Sequence, residues 1–143
     1  MKKRQTPADG RKPMDAAILL LVEDEEALHP VFEDALEDAG YGVIVATNGS
    51  DAIEALEEDV GRFKGIVTDI KLGAGPNGWD IAHRARVLAP AIPIVYMSGD
   101  SVVDWTAHGV PNSIILQKPF ALAQLITAIS QLINQAQSSP GVS

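Results

Sequence analysis

Five short apolar runs, each followed by a stretch of helical period, constrain this chain more than any other feature. They are "AILLLV" (17–22), "YGVIVA" (41–46), "FKGIVTD" (63–69), "IPIVYM" (92–97) and "NSIILQ" (112–117). Runs that are apolar throughout, rather than alternating, mark strands buried on both faces, as in a parallel sheet covered by helices on each side. Between the first two runs, Leu28, Phe32, Ala35, Leu36 and Ala39 recur at helical spacing, with Gly40 as a C-terminal cap and Pro30 confined to the first turn. Asn48 or Ser50 can cap a helix that turns Ala52, Ile53 and Leu56 inward. Further helices are predicted over 79–88, ended by Pro90, over a short segment at 102–107, and over 121–136. Five strand-and-helix units argue for an open, doubly wound α/β sheet, since a barrel takes about eight.

At 143 residues the chain is one domain, with the fold over 16–136 and flexible tails at 1–15 and 137–143. It contains no Cys, which excludes disulfides, thiolate metal sites and a Cys nucleophile. No apolar run approaches the roughly 18 residues of a membrane span, and the N-terminus lacks a signal-peptide core, so the expected location is the cytoplasm. Charge is uneven. Lys2, Lys3, Arg4, Arg11 and Lys12 crowd the start, read as a solvated leader, while residues 13–143 hold six Lys or Arg against eighteen Asp or Glu. A body that acidic repels phosphate backbones, and nucleic acid is not an expected partner.

In doubly wound sheets, ligands bind outside the carboxyl ends of the strands. Glu23 and Asp24 follow the first strand, Asp69 ends the third, Ser98 and Gly99 follow the fourth, and Lys118 and Pro119 follow the fifth. Two like charges about 4 Å apart cost on the order of 4 kcal/mol at an effective dielectric of about 20. Three clustered carboxylates must therefore either stay partly protonated or gather round a cation, and Mg²⁺ suits such a site because it keeps waters and leaves room for phosphate. Lys118 adds a compact positive charge, Ser98 a hydroxyl donor, and Gly99 space for approach. The set outlines phosphoryl transfer, with Asp69, at the end of a central strand, as nucleophile.

With these residues in this order and spacing, the sequence resembles the receiver domain of two-component response regulators. The match runs through Glu23 and Asp24, Asp69, Ser98 with its small neighbour, and the "KPF" of Lys118, Pro119 and Phe120, and covers about 16–136. The resemblance implies a flavodoxin-like (CheY-like) three-layer sandwich with strand order 2-1-3-4-5, and a phosphoacceptor signalling module rather than an enzyme with its own substrate. It implies that Asp69 takes phosphate from the phosphohistidine of a sensor histidine kinase or a histidine phosphotransfer protein. Mg²⁺ would be held by Asp24, Asp69 and the main-chain carbonyl of Lys71, with Glu23 acting largely through water, and Lys118–Pro119 would be cis. Lys71 and Asp100 stand where the family tunes phosphate hydrolysis. Docking to a downstream protein would use the fourth helix, fifth strand and fifth helix, roughly 102–135; a homodimer is left open. With about seven residues after its last helix, the chain reads as a stand-alone receiver.

Three departures stand out: Ile115 where the family usually has a switching aromatic, a longer loop "IKLGAGPNGW" after Asp69, and Ser98 for the commoner Thr. "GAGPNG" (73–78) is also a literal G-x-G-x-x-G between a strand and a helix. A dinucleotide reading leaves Glu23, Asp24 and Lys118 unexplained, and it would want the motif after the first strand. A dehalogenase-type phosphatase would want a second Asp two residues after Asp69, where Lys71 stands. His29, His83 and His108 lack ligand spacing.

Overall fold

The computed structural model describes residues 16–99 and 108–138; the basic leader, the short helix expected at 102–107 and Asp100 lie outside them. In chain order the elements are β1 (Ile18–Val22), a 3-10 turn (Glu26–Leu28), α1 (His29–Asp38), β2 (Gly42–Ala46), α2 (Gly49–Asp59), a second 3-10 turn (Val60–Arg62), β3 (Phe63–Asp69), α3 (Gly78–Leu88), β4 (Ile94–Ser98), β5 (Ser113–Gln117) and α4 (Leu122–Ser138). All strand pairs are parallel, in the order β2-β1-β3-β4-β5. The chain therefore steps one way from β1 to β2 and the other way to β3, and the carboxyl ends of β1 and β3 flank the resulting crevice.

The apolar run of β1 divides by parity. Leu20 and Val22 pack with Ala52 and Leu56 of α2 and Ile81, Ala82 and Ala85 of α3; Leu19 and Leu21 pack with Phe32 and Leu36 of α1 and Leu125 and Ile129 of α4. Successive side chains point to opposite faces, so a strand covered on both sides has no polar position left. Full burial of each such side chain contributes about 1.5–3 kcal/mol, which makes β1 a main support of the fold.

Element ends follow local chemistry. Pro30 sits in the first turn of α1 as expected, and Gly40 takes φ +101° just beyond its end. Asn48, rather than Ser50, caps α2 by accepting the Asp51 N–H at 2.8 Å. β4 begins two residues later than the apolar run, because Pro93 has no N–H for a ladder. Ser98, paired with Gln117 of β5, is the last residue of β4 rather than the first beyond it. The final helix runs on to Ser138, past the limit read from its apolar stripe. At the end of the sheet away from Asp69, the Arg86 guanidinium donates to the carbonyls of Ile92, Pro111 and Asn112 at 2.9, 2.7 and 3.2 Å, tying together the starts of β4 and β5.

Candidate functional site

The ladder between β1 and β2 runs one residue beyond the strands: the Glu23 N–H donates to the Ala46 carbonyl at 3.1 Å. This holds Glu23 at the sheet edge, where it is fully buried. Its Oε2 accepts the Glu25 N–H at 3.0 Å, and its main-chain carbonyl meets the His29 ring. Asp24, one residue on, is exposed, at the rim of the same crevice. Glu26 opens the 3-10 turn with Glu25 as its N-cap, and α1 proper starts only at His29.

Asp69 ends β3 between β1 and β4 and is 8 % exposed; Ser98 ends β4 and is 3 % exposed. The Lys118 N–H donates to the Ser98 carbonyl at 2.7 Å, and the Lys118–Pro119 peptide is cis. The Lys118 ammonium then lies 3.2 Å from each Asp69 carboxylate oxygen and 3.8 Å from Glu23 Oε1. Among the described residues nothing lies within 4 Å of where a Cβ on Gly99 would stand. Lys71 is exposed in the loop after Asp69. Ile115 is half-buried in register with Tyr96 of β4.

Carboxylate oxygens of Glu23, Asp24 and Asp69 lie within 4.8 Å of one another. Burial pushes the Glu23 carboxyl up to about 7, with the Asp69 charge adding to the rise and the Glu25 N–H and Lys118 opposing it. Burial likewise raises Asp69, against the pull of Lys118. Among the described residues, Glu23 Oε1 is buried and accepts no hydrogen bond. A buried oxygen without a donor, inside a group of three carboxylates and one ammonium, is short of positive charge. An oxygen-seeking divalent cation fits that deficit in both ligand type and charge.

The glycine-rich loop is not free to hold a pyrophosphate. The Asp80 N–H goes to the Asn77 side chain at 3.0 Å, the Asn77 N–H goes back to the Asp80 carboxylate at 3.0 Å, and the Gly78 N–H goes to the Ile70 carbonyl at 2.8 Å. Those amides are the ones a phosphate at this helix start would use.

Sequence reasoning passed over two supports of the site. His29, one of three histidines without ligand spacing, holds the main chain of Glu23. Tyr96, within the fourth apolar run, is fully buried, accepts the Val110 N–H at 3.2 Å, and has its ring centroid 4.7 Å from that of Trp79, which also contacts His108. Neither role carries a spacing signal, because both partners are distant in sequence or main-chain.

A doubly wound sheet of order 2-1-3-4-5 whose switch-point crevice gathers an acidic trio and a lysine beside one central aspartate is the class of protein that the fold and site define. Residues 19–130 match the response regulator receiver domain family. The chain belongs to that family. It is 31% identical over 117 residues to the response regulator receiver protein CpdR of Brucella abortus (strain 2308), covering 80% of this chain and 95% of CpdR. It is 32% identical over 123 residues to the sensor kinase CckA of the same organism, covering 84% of this chain but only 13% of that kinase. The crystal structure of a response regulator receiver protein from Sinorhizobium medicae WSM419 superposes with a TM-score of 0.83 at 46% identity, over 86% of this chain and 98% of that one.

Proposed function

We propose that this protein is a phosphorylation-driven signalling module in which Asp69 is the phosphoacceptor. The observation that carries the reading is the buried Asp69 carboxylate with the Lys118 ammonium 3.2 Å from each of its oxygens, in reach of Glu23 and Asp24. One Asp69 oxygen attacks the phosphorus of a phosphohistidine; the P–N bond breaks, its electron pair returns to the imidazole, and an acyl phosphate forms on Asp69. Lys118 and the Ser98 hydroxyl take up the charge on the phosphoryl oxygens. Asp24, Asp69 and the Lys71 main-chain carbonyl would hold Mg²⁺, with Glu23 acting through water; when bound, the ion neutralises charge on the transferring group. Lys71 and Asp100, two residues after Asp69 and Ser98 in sequence, set the lifetime of the acyl phosphate in this reading.

The phosphoryl donor is a sensor histidine kinase or a histidine phosphotransfer protein, and the message passes to a downstream protein. The face formed by β5 and α4 supports that docking: Ile114, Leu116, Ala123, Thr127 and Ala128 line an open groove of about 380 Å³. The likeness to CpdR over 95% of that receiver protein supports a receiver of the stand-alone type. Among the described residues no helix is long and apolar enough to cross a membrane, in keeping with work in the cytoplasm.

Incubation with acetyl phosphate and Mg²⁺, read by intact mass, tests the assignment. One phosphate adduct is expected, absent in Asp69→Ala; an adduct that survives this substitution overturns it.

A further inference from the structure

The loop between Asp69 and α3 is braced against the start of α2 by backbone. A Cβ on Gly49 would stand 2.0 Å from the Pro76 carbonyl oxygen and 2.8 Å from the Pro76 carbonyl carbon. Only a residue without a side chain lets the two segments meet there. The neck of the loop closes at Gly78, whose N–H donates to the Ile70 carbonyl at 2.8 Å and whose Cβ, if present, would lie 2.5 Å from the Asp69 carbonyl oxygen. Inside the loop, Ile70 and Leu72 are each 3 % exposed and bracket Lys71. The Lys71 main chain is thus held from both neighbours, from the neck and from the side.

We propose that Gly49 and Pro76 form a clasp that positions the Lys71 main chain for the divalent cation, which makes the start of α2 a positioning element of the metal site. The inference rests on the metal reading given above. Carboxylate ligands adjust by turning their side chains, but a main-chain carbonyl moves only with its loop. Mg²⁺ demands near-octahedral ligands at short range, whereas Ca²⁺ tolerates irregular ones, so a loosened clasp penalises Mg²⁺ more.

Calorimetric titration of the full chain with Mg²⁺ and with Ca²⁺ tests this. Gly49→Ala is expected to weaken Mg²⁺ about tenfold and Ca²⁺ by no more than about threefold, the loss typical of a support one shell behind the ligands. Pro76→Gly, which adds no clash, moves the same ratio in the same direction by about threefold. Gly61→Ala is the control, since its Cβ meets only Asp59 Oδ1 at 3.5 Å. Circular dichroism confirms folding, and if Gly49→Ala fails to fold, Pro76→Gly decides alone. Unchanged Mg²⁺ affinity, or equal losses for both ions, overturns the clasp. Absence of saturable Mg²⁺ binding by the unaltered chain overturns the metal reading itself, before any variant is compared.

Discussion

The Lys118 ammonium spans the Asp69 carboxylate, 3.2 Å from each oxygen, and bridges 49 residues of sequence to do so. With the cation equidistant, its charge is shared by both oxygens of the carboxylate rather than concentrated on one.

Replacing that cation separates binding from chemistry. Lys118→Met is expected to slow acetyl phosphate-driven labelling by about a hundredfold, the usual loss for one charge-stabilising donor. Mg²⁺ should bind at least as tightly, because a neighbouring positive charge is gone. A labelling time course with a parallel metal titration checks both; an unaltered rate would remove Lys118 from the mechanism.

Adjacent acids should behave unequally. Asp24→Asn is expected to weaken Mg²⁺ by about ten- to a hundredfold, as loss of a ligand or its direct support does, and to slow labelling in step. Glu26→Gln, in the exposed 3-10 turn, should stay within about twofold of the parent protein. Equal losses would contradict the division of the acidic run.

The metal-free protein should lose stability as pH rises. Glu23 is raised from 4.5 to about 7 in the folded state, chiefly by burial. Between those values the folded protein holds more protons than the unfolded chain, so unfolding free energy falls with pH, by about 3 kcal/mol in all. Urea unfolding in EDTA at pH 5 and pH 8 measures this. Glu23→Gln should flatten the profile, and excess Mg²⁺ should recover stability at pH 8, where the carboxylates have released their protons.

Tyr96→Phe should destabilise the fold by about 1–3 kcal/mol, since it leaves the Val110 N–H buried without its acceptor. Thermal unfolding checks the loss. A change below experimental error would mean that this N–H finds another acceptor.

The strands, their abrupt polar ends and most helix caps were legible because each depends on residues a few positions apart. "ILLLV" reads as a doubly covered strand from its own composition, and Asn48, Pro30 and Gly40 sit where backbone geometry alone wants them. The glycine-rich loop shows the limit of the same locality: its spacing copies a phosphate cradle, which the sequence could set aside only on residues elsewhere, while in the fold the Asn77, Gly78 and Asp80 amides are spent within the loop. Nothing within the motif reveals that.

By itself, then, the sequence determined a parallel α/β sheet and a short list of reactive residues at strand ends, because periodicity and turn chemistry are short-range. The tertiary structure decided which of them meet. Strand order puts β1 beside β3 and carries Lys118 to Asp69. The extension of the β1–β2 ladder buries Glu23 while its neighbour Asp24 stays in water. The close approach of Pro76 to Gly49 makes a remote helix start part of the site. These relationships join residues far apart in the chain, so they exist only after burial and backbone pairing have selected one packing of the helices on the sheet.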